Sequence, residues 1–275
     1  MSALGPRGAA PLSARIDGIA FWANGLPSWE AARGFVATGV LPEAAPAKPS
    51  PQLLPPNERR RAPESVAVAL DVALAACHAA GREPAALASV FASTHGDLSI
   101  TDYMCATLAE DPRAISPTKF HNSVHNAAAG YWTIGAGCMH AANAISGYDA
   151  SFAEGLLDAL TTLAAGAEAV LLVGYDTGST GPLRSVHACT GLLGGAWVLS
   201  RADAAPGAAG SVRLAAWLED GQATDPAAAG PLGRHAGGNA MAPMLPAFDA
   251  LAAGAPSARL HAGPGRVLRL EFGHD

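Results

Sequence analysis

Apolar runs and polar breaks divide this chain into alternating strands and helices. Ile16–Trp22 (IDGIAFW) reads as a strand, and Ser28 stands ahead of Trp29 and Glu30 as a helix cap would. Residues 42–56 (PEAAPAKPSPQLLPP) are too proline-rich for a regular element. Pro63 and Glu64 then open a helix that Gly81 closes. Between them ESVAVALDVALAACHAA is apolar nearly all round, which predicts a helix covered on more than one side. A short buried strand is predicted over Ala88–Ser93, a helix over Ser99–Leu108, a helix over 122–134 and a small-residue strand over 139–145. Ser151–Ala165 reads as a helix with Ser151 as its cap, and Val170–Val173 as a strand buried on both faces. LLGGAWVLS, SVRLAAWLE and RVLRLEF add three more strands, partly antiparallel. The alternation predicts a layered α/β sheet. Residues 221–243, rich in Gly, Ala and Pro, are too long for an ordinary loop, so they are expected to be mobile or ordered by a partner.

Composition narrows the class. The 275 residues can bury a full core. Half are apolar and only 15% are charged, well under the usual quarter, which suggests that part of the surface is covered by another protein. A net charge of −6 argues against nucleic acid. Cys77, Cys105, Cys138 and Cys189 form no CxxC pair and read as reduced thiols of a cytoplasmic protein. Residues 1–14 are expected to be a disordered tail ahead of a single domain over 15–275. Residues 120–148 carry no Asp, Glu, Lys or Arg, but their His, Asn and Gly mark a soluble core rather than a membrane span.

Candidate chemistry is sparse. His121 and His125 are four apart, so on a helix both imidazoles would share a face. Asp97, His95 or His140 could complete a metal site there. The intervening Asn122, Ser123 and Val124 lack the Glu of a zinc-protease helix, which favours two packed, hydrogen-bonded histidines. Ser146, Ser151 and Cys138 are the nucleophile candidates for an acyl hydrolase or acyltransferase, although Gly147–Ser151 misses the G-x-S-x-G pattern. Cys138 and Cys189 have no activating setting in the sequence, and Gly135, Gly137 and Gly194-Gly195 form no phosphate-cradling motif. Arg59-Arg60-Arg61 is the one compact cation cluster, fit either for docking an acidic protein or for a solvated helix start.

Three segments carry a family resemblance: LLPPNERRRAPESVAVALDVALAA, SPTKFHNSVHNAAAGYWTI and CTGLLGGAWVLS. Over roughly residues 15–200 the chain resembles the N-terminal half of the β-ketoacyl synthases, within the thiolase-like fold. More closely it resembles the chain-length-factor-type proteins that accompany synthases of aryl polyene pigments. That implies an α/β/α layered half with a mixed, mostly five-stranded sheet, and the C-terminal half of the fold absent. It also implies departures. The nucleophile position falls at or near Asp149, which cannot form an acyl thioester, and no His-Thr-Gly-Thr or Asn-Ser-Phe-Gly motif is present.

The resemblance therefore implies a subunit that is non-catalytic by itself, with no cofactor and no bound metal. Its partner would be a full-length β-ketoacyl-ACP synthase in a heterodimer, served by an acyl carrier protein, with no membrane or nucleic acid involved. By the same resemblance the Ser99–Leu108 helix closes the partner's acyl tunnel. Ile100, Tyr103, Met104, Thr107, Leu108 and Trp132 are then tunnel candidates, and Arg59, Arg60 and Arg61 carrier-docking candidates. A free-standing serine or cysteine acyl hydrolase or acyltransferase is the alternative.

Overall fold

The computed structural model describes residues 10–204 and 211–274. The chain opens with strand β1 (Leu12–Ala23), followed by helices α1 (Trp29–Thr38), α2 (Pro56–Arg59) and α3 (Glu64–Ala80). Strand β2 (Ala88–Ala92) leads to α4 (Leu98–Glu110), α5 (Pro117–His121) and α6 (Ala127–Ala136). Then come β3 (Ala142–Ile145), α7 (Ser151–Ala164), β4 (Ala169–Asp176), β5 (Leu193–Arg201) and β6 (Val212–Asp220). The last part holds α8 (Pro226–Ala229), α9 (Pro231–Ala236), α10 (Leu245–Ala253), β7 (Ser257–His261) and β8 (Arg266–His274).

All eight strands form one sheet in the order β3-β2-β4-β5-β1-β6-β8-β7. Strands β3, β2 and β4 run parallel, and every other neighbouring pair is antiparallel. The layered α/β expectation holds, but the sheet is not five-stranded. β6, β8 and β7 extend it beyond β1, because Leu12–Ile16 of β1 pairs with β6 along one edge while residues 14–23 pair with β5 along the other. The expected N-terminal tail is also shortened: Leu12–Ala14 belong to β1, and residues 1–9 lie outside the described residues.

Two apolar layers sandwich the sheet. On one face lie α3 and α6, with Val68, Leu70 and Val72 of α3 packed on Leu171, Val173, Ala196 and Val198. The all-round apolar character of α3 follows from this double cover, and close approach is built into the strands. A Cβ on Gly18 would collide with the Ala76 carbonyl, and one on Gly194 would come 2.7 Å from Val68 Cγ2. On the other face α7 and α10 bring Phe152 and Phe248 onto Trp197, with ring centroids 5.3 and 5.4 Å apart. Such aromatics bury roughly 150–250 Å² each, so at about 25 cal/mol per Å² this cluster is a main source of stability.

Several local expectations hold. Ser28 Oγ accepts the Ala31 N–H, Gly81 ends α3 in the left-handed conformation, and every residue of β4 is buried. Others need correction. No single helix covers 122–134: α5 ends at His121, a turn follows, and α6 begins at Ala127. Ser151 is the first residue of α7 rather than its cap. Its hydroxyl donates to the Tyr148 carbonyl (2.6 Å) and accepts the Gly147 N–H (3.0 Å).

Residues 221–243 are ordered by the chain itself. They hold α8 and α9, and the Asp249 carboxylate of α10 accepts the Leu232 and Gly233 N–H groups at the start of α9, both at 2.9 Å. Burial raises the Asp249 carboxyl, while these two bonds oppose the shift.

Candidate functional site

The polar residues of the sheet gather at the carboxyl ends of the parallel strands β2 and β4, where ligands settle in open α/β sheets. Asp176 ends β4, 1% exposed. Its carboxylate accepts from Ser93 Oγ (2.7 Å) and from the Thr94 (2.8 Å) and His95 (3.3 Å) N–H groups, which pins the loop after β2. Burial pushes the Asp176 carboxyl up to about 6 against those bonds. Asn239 closes the arrangement from below, donating to the carbonyls of Asp176 (3.1 Å), Thr190 (3.3 Å) and Gly191 (3.2 Å).

Beside this network stands the turn between β3 and α7. Among the described residues Tyr148 is the one non-glycine with a positive φ, 53°. Such a conformation costs a bulky residue about 1–3 kcal/mol and persists only where its surroundings impose it. The apex of the turn is therefore Tyr148, one residue before Asp149. The Tyr148 ring lies 5.2 Å from His187 and 6.1 Å from His95, and His95 Nε2 is 2.5 Å from His187 Nδ1. Burial first, and then His187, lowers the pKa of His95, with Asp149 opposing.

The hydroxyls of the hydrolase reading are occupied elsewhere. Ser146 Oγ donates to the Thr94 carbonyl (3.0 Å), Ser151 is bound within its own turn, and Cys138 Sγ donates to the Leu87 carbonyl (3.2 Å). No imidazole is hydrogen-bonded to any of the three among the described residues. Burial, with Cys138 beside it, pushes the Cys77 thiol up to about 12.

His121 and His125 do not share a helix face. His121 ends α5 against Tyr131, whereas His125 sits in the following turn with Nε2 donating to the Ser93 carbonyl (2.9 Å). Among the described residues no group of three His, Cys, Asp or Glu could hold a metal ion.

The tunnel candidates separate. Trp132 is fully buried in the α3-side core, 6.3 Å from Phe91, so it packs the interior rather than walling a channel. Ile100 faces a cavity of about 780 Å³. Tyr103 Oη accepts the Ser116 N–H (3.1 Å), and Lys119 Nζ lies 4.1 Å from its ring centre. Tyr103, Met104 and Thr107 are half-buried and Leu108 is exposed.

The arginine cluster separates too. Arg59 donates back to the Leu54 carbonyl and Arg60 to Asn57, leaving Arg61 at the mouth of the cavity. Tyr148, Asp176, His187 and Asn239 were not legible as site residues. A tyrosine has no sequence signature for positive φ, and 92 positions separate the two facing histidines.

Solved structures place this arrangement among known folds. A chain of the ketosynthase (ApeO) in complex with its chain length factor (ApeC) from Xenorhabdus doucetiae superposes with a TM-score of 0.73 and 23% identity, over 94% of this chain and 99% of that one. The ishigamide ketosynthase/chain length factor gives 0.70 at 15% identity, over 96% and 99%. A β-ketoacyl synthase from Burkholderia phymatum STM815 gives 0.65 at 12%, over 97% and 100%. These likenesses establish the thiolase-like fold. No curated protein sequence matches. The β-ketoacyl synthase N-terminal domain family, however, matches residues 30–210, well over half of the chain, and this protein belongs to that family.

Proposed function

We propose that this chain is a chain-length-factor subunit, non-catalytic by itself, that pairs with a full-length β-ketoacyl-ACP synthase and shapes its acyl tunnel. The observation that carries the reading is the uncovered edge strand β3. Exposed edges are normally guarded by charge. The opposite edge, β7, carries Arg259 paired with Glu219, but β3 is Ala-Asn-Ala-Ile. Apolar side chains flank it in the open: Met139, three residues before it, is 95% exposed, and Ile134 of α6, the helix packed beside β3, is 82% exposed. A face of this kind suits an obligate partner, whose interface is large and apolar.

The turn supports the non-catalytic half of the proposal. In the resemblance the condensing nucleophile stands on the turn after β3, and here the apex is a phenol. The ApeO–ApeC and ishigamide complexes, similar in fold along nearly the whole chain, are pairings of the proposed kind. A further similar structure holds an acyl carrier protein in complex with its ketosynthase, and the proposed pair would be served by such a carrier in the cytoplasm. Among the described residues no helix is long and apolar enough to cross a membrane.

Co-expression with a neighbouring synthase followed by size-exclusion chromatography tests the pairing. The Ser89 and Ser93 backbone N–H groups donate to the Ala141 and Ile145 carbonyls, so the Ala144 N–H points away from β2. Ala144→Pro should abolish co-elution while the subunit itself stays folded. A stable monomer that ignores the synthase would overturn the proposal.

A further inference from the structure

We propose that residues 180–188 form a flap that His187 latches to His95 at neutral pH and that mild acid releases from the start of α4. The flap lies in the connection from β4 to β5, and Ser179 and Cys189 close its neck. The Ser179 N–H donates to the Cys189 carbonyl (2.9 Å), and Ser179 Oγ accepts the Cys189 N–H (3.0 Å). Beyond the neck the Thr190 N–H donates to the Gly238 carbonyl and the Leu192 N–H to Asn24. The stems are fixed, so movement is confined to what lies between them.

Within the flap the hold is slight. The Val186 and His187 N–H groups turn back on the Leu183 carbonyl, and Ser185 Oγ on the Pro182 carbonyl, which binds the flap only to itself. Among the described residues two hydrogen bonds leave it for the rest of the chain. Thr180 Oγ1 donates to the Leu98 carbonyl at 3.4 Å, and His187 Nδ1 meets His95 Nε2 at 2.5 Å. Its apolar anchor is Leu183, packed on Leu98, Cys189 and Ala240 in a small cluster apart from the two main cores, while Val186 is 83% exposed. A segment with so few buried contacts is among the first to open.

The latch answers to the second proton. With one proton between the facing nitrogens one imidazole donates to the other, and a first charge on the pair keeps that bond. A second proton puts an N–H on both nitrogens and replaces the bond by repulsion between two cations. Burial and His187 hold His95 below its ordinary 6.5, so release falls on the acid side of that value.

The neighbouring charges leave this role to the two imidazoles. Asp149 favours the charged His95 and the Tyr148 ring packs on both histidines. Asp176 accepts the His95 backbone N–H rather than its ring. His125 is bound to the Ser93 carbonyl, and Asp97 to Ser65, Ser99 and the Ile100 N–H. Asp102 of α4 lies against Gly181 at the start of the flap, and Arg184 is exposed on it.

NMR relaxation of the full chain, 15N-labelled and observed free or bound to unlabelled synthase, tests the latch independently of the pairing. Order parameters of the Ser185, Val186 and Ala188 amides should be about 0.85 near pH 7.5 and below about 0.6 near pH 5, with the β4 amides at about 0.85 throughout. His187→Ala should leave the flap mobile at both pH values, and His95→Gln should abolish the pH dependence. Asp176→Asn, which cannot titrate, should retain it. His187 stands on a surface loop, so its replacement keeps the test decisive if the His95 variant misfolds. A flap equally ordered at both pH values, or still ordered in His187→Ala, would overturn the proposal. So would a pH dependence that survives in His95→Gln or disappears in Asp176→Asn, or β4 losing order together with the flap.

Discussion

His95 Nε2 and His187 Nδ1 face each other at 2.5 Å and tie the loop after β2 to the loop after β4. One proton between the two nitrogens makes a hydrogen bond, and a proton on each makes two adjacent cations. Asp149 and the buried Asp176 are the acidic groups at this junction, and the Tyr148 ring packs on both imidazoles. The folded protein holds His95 below its ordinary 6.5, so the unfolded chain takes up the proton first. The stability contributed by neutral His95 is present above that value and is lost as pH falls through the lower, native one. NMR titration of His187→Gln should show the His95 midpoint moving up, but only partway, because burial is the larger cause. Asp149→Ala should move it further down while leaving assembly with the synthase intact.

Asp176 titrates with the opposite sign. Its carboxyl is raised from 3.8 to about 6, so the native state binds the proton more tightly than the unfolded chain. Its contribution is greatest below 3.8 and is lost as pH rises through about 6, a change on the order of 2–3 kcal/mol. Urea denaturation across this window should show that slope in the native protein and lose it in Asp176→Asn. Asp176→Ala leaves Ser93, Thr94 and His95 donors without their acceptor and should cost about 1–3 kcal/mol at every pH.

The α10 layer can be probed from the strand beneath it. A Cβ on Gly195 would come 2.5 Å from Phe248 Cζ and 3.0 Å from Met244 Cε. Gly195→Ala should therefore destabilise the protein by about 1–3 kcal/mol through overpacking. Gly34, inside α1, has nothing within 4 Å of the added carbon, and Gly34→Ala should stabilise by about 0.4–1 kcal/mol. Thermal melts of the two variants moving in the same direction would contradict this packing.

If α4 closes a partner's acyl channel, its outward residues set product length. Met104→Ala and Leu108→Ala should give longer carrier-bound products from an intact heterodimer, read by mass spectrometry. Leu108 is 50% exposed, so its truncation should cost little stability. Ile100, 6% exposed, should cost about 2–5 kcal/mol on truncation to Ala. Unchanged length across Met104, Thr107 and Leu108 would leave α4 with packing alone.

What the sequence determined by itself is local or periodic. The aliphatic run of β4, the all-round apolar α3, and the Ser28 and Gly81 boundaries follow from side-chain period and backbone preference within one segment. Membership of the synthase family was legible for the same reason, in three contiguous stretches. Tertiary structure alone decided what depends on distant partners. β6, β8 and β7 joined the sheet because the start of β1 had a free side to pair, which no segment records. Residues 221–243 became ordered through Asn239 and Asp249, whose acceptors and donors lie in other elements. The placement of Tyr148 rather than Asp149 at the apex rests on a strained dihedral that packing imposes, and the His95–His187 contact on two loops brought together by adjacent strands.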